Sequence, residues 1–184
     1  MAMPVTVPRY TIQDLESFPN DGNRYELLDG ILLVTPAPAP LHQRVVSRLF
    51  GYLEGYFRSD RIAEVFSPGS VEVQPRLHLE PDILVVPANV LPRTGDLPTR
   101  WTDITAWWLA AEVSGESRMY DRDFKGPAYL AVGVGEYWRV DLNDRCLYVS
   151  RPGQEPEQRY AEEVTWLPPQ RTESLVIPVP DLFP

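Results

Sequence analysis

Only one cysteine, two histidines and one lysine occur in this 184-residue chain. Cys146 alone cannot form an internal disulfide, and His42 and His78 do not supply the Cys/His cluster of a structural zinc site. Any metal would therefore have to be held by carboxylates. No run approaches the roughly 20 apolar residues of a membrane span. The first residues, MAMPVTVPRY, lack a basic segment followed by an apolar stretch. No membrane association and a cytoplasmic location are expected. Internal repeats, low-complexity tracts and a domain boundary are missing too, which predicts a single domain over 1–184. The 20 prolines are scattered between apolar runs and read as rigid loops and strand edges.

What is present is the composition of a folded soluble domain, with 43% hydrophobic and 23% charged residues. Asp and Glu number 26 against 17 Lys and Arg, a net charge of −9 that repels polyanions at long range and argues against a general nucleic-acid coat protein. All the basic residues but Lys125 are Arg.

Along the chain, Thr11 and Asp14 resemble a capping box opening a short helix that ends near Pro19, with Leu15 and Phe18 on its buried side. A hairpin follows, built from 24–28 and 31–34 around Asp29-Gly30, a pair suited to the positive φ angles of a tight turn. TPAPAP over 35–40 reads as a stiff connector. Val45, Val46, Leu49, Phe50, Leu53, Tyr56 and Phe57 recur at helical spacing, which predicts a helix over 42–57. Extended runs are predicted at 61–66, 71–74, 81–87 and 106–114, the last two apolar enough for central strands buried on both sides. A helix over 118–132, interrupted by Pro127, is followed by strands at 136–141, 146–150 and 175–179. The fold class is α/β: a mixed central sheet flanked by helices, with extra antiparallel hairpins and one strand, helix, strand crossover.

Three charged residues in the middle of this order are candidates for chemistry. Asp82 opens an apolar strand, Glu112 lies near the end of the next, and Lys125 lies in the following helix. In LAAEVS, alternation puts Glu112 on the side of Ala110 and Ser114, with Ala111 and Val113 opposite. A carboxylate so embedded needs a partner or a metal. If the two strands are neighbours, Asp82, Glu112 and the main-chain carbonyl of Val113 could hold one hard cation. Mg²⁺ suits such an incomplete oxygen site, and Mn²⁺ is the alternative. Lys125 would then orient a water and neutralise charge developing on phosphorus, a task for a compact ammonium that Arg performs poorly. Simpler readings stand beside these. Lys125 and Asp121 have the i, i+4 spacing of a surface ion pair, Asp82 could cap a turn, and Glu112 could be paired with Arg118 or Arg122.

RYELLDG (24–30), the PAP segment leading to His42, EPDILVV (80–86), AEVS (111–114), YDRDFK (120–125) and GVGEYWRVD (133–141) together resemble the Uma-type endonuclease family. That family belongs to the PD-(D/E)XK superfamily, and the resemblance covers about 10–183. It implies a restriction-endonuclease-like fold, with Asp82 and Glu112 as the acidic residues and Lys125 as the lysine. The superfamily's usual lysine position, two residues after Glu112, is Ser114 here. The resemblance implies that Lys125 reaches back from the next helix. It also makes Glu26 a further acidic candidate, with a solvated strand residue as the alternative. His42 becomes a candidate phosphate contact, with a structural role as the alternative. Mg-dependent hydrolysis of DNA is the function expected. Substrate affinity would come from His42 with Arg44, Arg48, Arg118 and Arg122, or from a homodimer framing a cleft. The rival expectation is a catalytically silent binding or assembly module on the same fold. A hydrolase of small phosphoesters is the third.

Overall fold

The computed structural model describes residues 7–91 and 100–184. Helix α1 (Ile12–Leu15) starts at the expected capping box, Asp14 Oδ2 accepting from the Thr11 N–H at 2.7 Å and from its hydroxyl at 2.8 Å. It is one turn long, so Phe18 is half-buried in the loop beyond it. Strands β1 (Arg24–Leu28) and β2 (Ile31–Thr35) pair antiparallel around Asp29 (φ 48°) and Gly30 (φ 77°). A Cβ on Gly30 would also lie 2.9 Å from the Tyr10 carbonyl oxygen, so glycine is required there twice over.

Helix α2 (Pro40–Phe57) begins two residues earlier than predicted, because the last proline of the connector serves as its first residue. Strands β3 (Ala63–Phe66), β4 (Val71–Val73), β5 (Leu77–Leu79) and β6 (Ile83–Pro87) follow, then β7 (Leu109–Ser114). Every residue of β6 and β7 is buried. A helical crossover, made of α3 (Arg118–Tyr120), a π-helical turn (Asp121–Lys125) and α4 (Gly126–Ala131), leads to β8 (Glu136–Asp141). Strands β9 (Cys146–Arg151), β10 (Gln154–Tyr160), β11 (Glu163–Trp166) and β12 (Leu175–Pro178) complete the chain.

The strands form a sheet ordered β10-β9-β8-β7-β6-β3, a second ordered β2-β1-β5-β4, and the hairpin β11-β12. β7 and β8 are parallel, as their helical crossover demands, while β6 runs antiparallel to β7. One face of the six-stranded sheet packs Ala111, Val113 and Trp138 against Val45, Leu49 and Leu53 of α2 and against Trp166 and Ile177 of the terminal hairpin. The other packs Leu84, Ala110 and Tyr137 against Val71 and Leu79 of the smaller sheet and Tyr129 of the crossover. Alternation along β7 thus sends Glu112 to the second side, with Ala110.

The π-helical turn has an identifiable cause. Pro127 has no N–H, and its ring crowds the carbonyl four residues before it in a regular helix. The ladder widens just upstream, where the Gly126 N–H bonds the Asp121 carbonyl, which also accepts from the Tyr137 hydroxyl at 3.0 Å. Gly126 lets the crossover lie directly on that ring, since a Cβ there would be 2.9 Å from two Tyr137 ring carbons. Gly126→Ala is expected to destabilise the protein by about 1–3 kcal/mol through overpacking, measurable by denaturant unfolding.

Candidate active site

β6 and β7 are neighbours, and their register pairs Ile83 with Ala111. One step further, Asp82 stands opposite Glu112 at the ends of these strands. Asp82 is 2% exposed and Glu112 4%, so both carboxylates sit at depths where charge must be compensated. The Val113 N–H donates to Asp82 Oδ2 at 2.9 Å, tying the Asp82 carboxylate directly to β7.

Three further segments converge on this point. From β1, Arg24 Nη1 donates to Asp82 Oδ1 at 2.9 Å, and the fully buried Glu26 accepts the Glu80 N–H at 2.8 Å. From α2, His42 Nε2 lies 2.9 Å from Asp82 Oδ2, while its Nδ1 is buried without a partner among the described residues. From the π-helical turn, Lys125 Nζ lies 2.7 Å from Glu26 Oε2, 3.2 Å from Glu112 Oε1 and 3.8 Å from Asp121 Oδ1. Tyr129, one turn on, donates its hydroxyl to Glu112 Oε1 at 3.0 Å. Asp121 is itself held by the hydroxyls of Ser114 and Ser117, each at 2.7 Å from Oδ2.

Asp82, Glu112, Lys125, Glu26 and His42 are therefore brought together. Glu112 is paired with Lys125 and Tyr129, not with Arg118 or Arg122. Lys125 does meet Asp121 four residues back, but in the interior, and Glu26 is not a solvated strand residue. The remaining arginines are dispersed. Arg44, Arg118 and Arg122 are exposed, Arg122 pairing with Asp123 at 2.6 Å. Arg48 donates to the Asp181 carbonyl at 2.9 Å and is committed to the C-terminal segment.

The sequence reading does not make Arg24, Asp121 or Ser114 members of the site, although it notes the spacing of Asp121 from Lys125 and places Ser114 on the side of Glu112. Arg24 could have been found, since a spacing of two along a strand puts it on the same face as Glu26. The role of Asp121 could not, because i, i+4 spacing does not tell a surface pair from a buried one.

The charges in the cluster are unequal. Burial pushes the Asp82 carboxyl up, but the hydrogen bond and charge of His42, the Arg24 guanidinium and the Val113 amide hold it below the usual aspartate range. Burial raises Glu112 well above the ordinary glutamate value; Lys125 opposes this, and the neighbouring Asp82, Asp121 and Glu26 reinforce it. Burial would lower the Lys125 ammonium, yet Glu112, Glu26 and Asp121 outweigh it and keep the amine charged. Four buried carboxylates thus face two permanent cations, Arg24 and Lys125.

Arg24 also lines a cleft of about 850 Å³ with Tyr25, His78, Glu80, Arg100 and Trp101 among its walls. A separate concavity of about 660 Å³ at Arg48, Tyr52 and Asp181 contains no member of the cluster. In the first cleft, His78 sits between Glu72 (2.9 Å) and Glu80 (3.3 Å). Burial opposes its charge, but the two carboxylates win and raise it to about 9. A raised basic group stabilises the fold fully below its unfolded value of about 6.5, and that contribution fades as pH rises through about 9. Stability on the order of 3 kcal/mol should be lost between about pH 6.5 and 9.5 in the wild type and not in His78→Gln. Urea titrations across that range measure it.

A mixed sheet presenting carboxylates from two adjacent strand ends to a lysine on the crossover helix defines the restriction-endonuclease-like class. Residues 12–182 match Uma2, a family described as "Putative restriction endonuclease", and the chain belongs to that family. The fold is similar to a solved structure from Anabaena variabilis ATCC 29413, titled a "putative nuclease belonging to DUF820". The TM-score is 0.76 at 20% identity, over 94% of this chain and 97% of that one. No curated protein sequence matches. Among the described residues, no helix is long and apolar enough to cross a membrane.

Proposed function

We propose that this protein is a magnesium-dependent endodeoxyribonuclease whose working residues are Asp82, Glu112 and Lys125. The observation that carries the reading is the convergence of a β6 carboxylate, a β7 carboxylate and the only lysine of the chain in one buried cluster, although they are 30 and 13 residues apart.

The donor set suits a hard divalent cation. The four carboxylates face Arg24, Lys125 and His42, and Glu112, raised first by burial and then by the neighbouring carboxylates, is the group that a bound cation would relieve. Among the described residues no three Asp, Glu, His or Cys side chains already stand at metal-ligand spacing. A cation shared by Asp82, Glu112 and the Val113 carbonyl would therefore compete with Arg24 for the first and with Lys125 for the second. Bound there, Mg²⁺ or Mn²⁺ would supply Lewis acidity to a phosphate oxygen and stabilise the leaving group.

The chain's own groups have separable tasks. His42, Arg24 and the Val113 amide fix both oxygens of Asp82, so that the carboxylate is ionised and immobile. Tyr129 fixes Glu112 by one oxygen. Lys125, released in part from Glu112, is the donor that would hold a water in line with phosphorus and offset the charge building there. Glu26 and Asp121 keep its amine charged and aimed.

A second reading, a silent binding module, draws on the engagement of both Asp82 oxygens by Arg24 and His42. Nicking of supercoiled plasmid with Mg²⁺, Mn²⁺ or EDTA separates the two. The nuclease reading expects metal-dependent nicking that falls at least a hundredfold in Asp82→Asn. Equal residual nicking in the variant and wild type, or none in either at concentrations where DNA is bound, supports the module.

A further inference from the structure

We propose that the outer surface of the 118–125 helical segment binds unpaired, single-stranded DNA, with Tyr120 and Phe124 stacking on bases and Arg118 and Arg122 following the phosphates. This rests on the nuclease reading above and deepens it by naming the form of substrate.

The inner side of the segment is Asp121 and Lys125, both buried. The outer side is unusually apolar for a surface. Met119 is 59% exposed, Tyr120 51% and Phe124 50%, three large side chains together on one short stretch. Such a patch on an otherwise charged chain marks a contact site. The Tyr120 and Phe124 rings stand 5.5 Å apart at 36°, side by side and open to solvent, with neither buried in the core.

Position around the helix gives the patch its meaning. Around the segment, Arg118 and Arg122 form a ridge on one side of the Asp121–Lys125 row and Tyr120 and Phe124 a ridge on the other, with the exposed Asp123, paired to Arg122 at 2.6 Å, on the outer side between them. A strand crossing the outer side would meet guanidinium groups on one flank and aromatic faces on the other, its phosphates displacing Asp123 from Arg122, an exposed pair of little strength, while Lys125 faces the buried side. Grooves for single strands are built of these two components. A duplex offers only edges and backbone, because its base faces are covered by their neighbours, so the aromatic ridge selects bases that are unstacked.

Fluorescence anisotropy in EDTA, with a labelled 12-nucleotide single strand and the corresponding duplex, tests this without requiring cleavage. Wild type should bind the single strand more tightly than the duplex. Tyr120→Ala/Phe124→Ala should lose about tenfold to a hundredfold in single-strand affinity and under about threefold for duplex. Tyr120→Phe/Phe124→Tyr should bind as the wild type does. Unchanged single-strand affinity in the alanine double variant, or equal losses on both probes, overturns the inference. So does a shift from dimer to monomer in sedimentation with oligonucleotide binding intact, which would assign the face to self-association. Selective single-strand loss in a protein that cuts neither plasmid nor single-stranded DNA with Mg²⁺ or Mn²⁺ would sink the nuclease reading and leave this inference standing. Metal-dependent nicking with indifferent aromatics would do the reverse.

Discussion

Lys125→Met is expected to reduce metal-dependent cleavage by at least about a thousandfold and to destabilise the fold by about 3–5 kcal/mol at neutral pH. Both effects have one cause. Lys125 is the shared counter-charge of Glu26, Glu112 and Asp121, all within 3.8 Å of its amine and none more than 4% exposed. A methionine keeps the length of the stem and removes the charge, leaving three carboxylates in a poorly solvated space. The pH dependence gives the test its direction. Glu112 already titrates well above an ordinary glutamate, chiefly through burial, and loses its main opposing influence with the lysine. An acid raised in the folded state costs stability as pH climbs past its unfolded value, and the cost is complete above the folded one. The deficit of the variant should therefore be smaller at pH 4, where Glu112 is protonated, than at pH 8. Melting temperatures in EDTA at the two values measure it. Adding Mg²⁺ should raise the variant's melting temperature more than the wild type's, because the ion replaces a missing cation. A variant equally stable at both pH values and indifferent to metal would mean that Lys125 is not the electrostatic centre of this cluster.

Much of this arrangement could be read from the chain because its signals are local. Asp29-Gly30 dictates its own turn, the apolar face of α2 repeats from Val45 to Phe57, and alternation within LAAEVS assigns Glu112 to one side of β7 and Val113 to the other. The six motifs of the family resemblance then supplied what local pattern does not, which is that residues from three distant segments meet. Two of the missed strands borrow their stability from their neighbours. Strand β5 has three residues, with His78 in its centre, and exists because β1 and β4 hold it on both edges. Strand β10, QEPEQRY, is almost wholly polar and contains Pro156. It is tolerated because it is an edge strand with an irregular register against β9. The partner of His42 was equally hidden, since a lone histidine near a helix start says nothing about an aspartate 40 residues on. The depth of Lys125 was hidden as well. Only the crossover lying on Tyr137, with Gly126 at the contact, turns an i, i+4 pair inward.

Glu112→Gln is expected to move stability and activity in opposite directions. The amide keeps the shape of the side chain and leaves an oxygen for the Tyr129 hydroxyl, while removing a charge that burial, Asp82, Asp121 and Glu26 all disfavour. Lys125 loses one of three anions and retains Glu26 at 2.7 Å and Asp121. The sign follows from linkage. The wild type sheds stability as Glu112 is forced to ionise with rising pH, and the variant does not. In EDTA the variant should melt higher than the wild type at pH 8, and the difference should shrink toward pH 4. Plasmid nicking should fall by at least about a hundredfold, and the stabilisation that Mg²⁺ gives the wild type should be largely lost. A purely structural ion pair predicts the contrary, because removing one partner of a buried pair leaves the other uncompensated and destabilises the fold. A Glu112→Gln protein that is less stable at pH 8 and still cuts DNA would show that the carboxylate serves the fold. A more stable protein that no longer cuts would show an unfavourable buried charge retained for its chemistry, as expected where a fold gives up stability to keep a site ready for a cation.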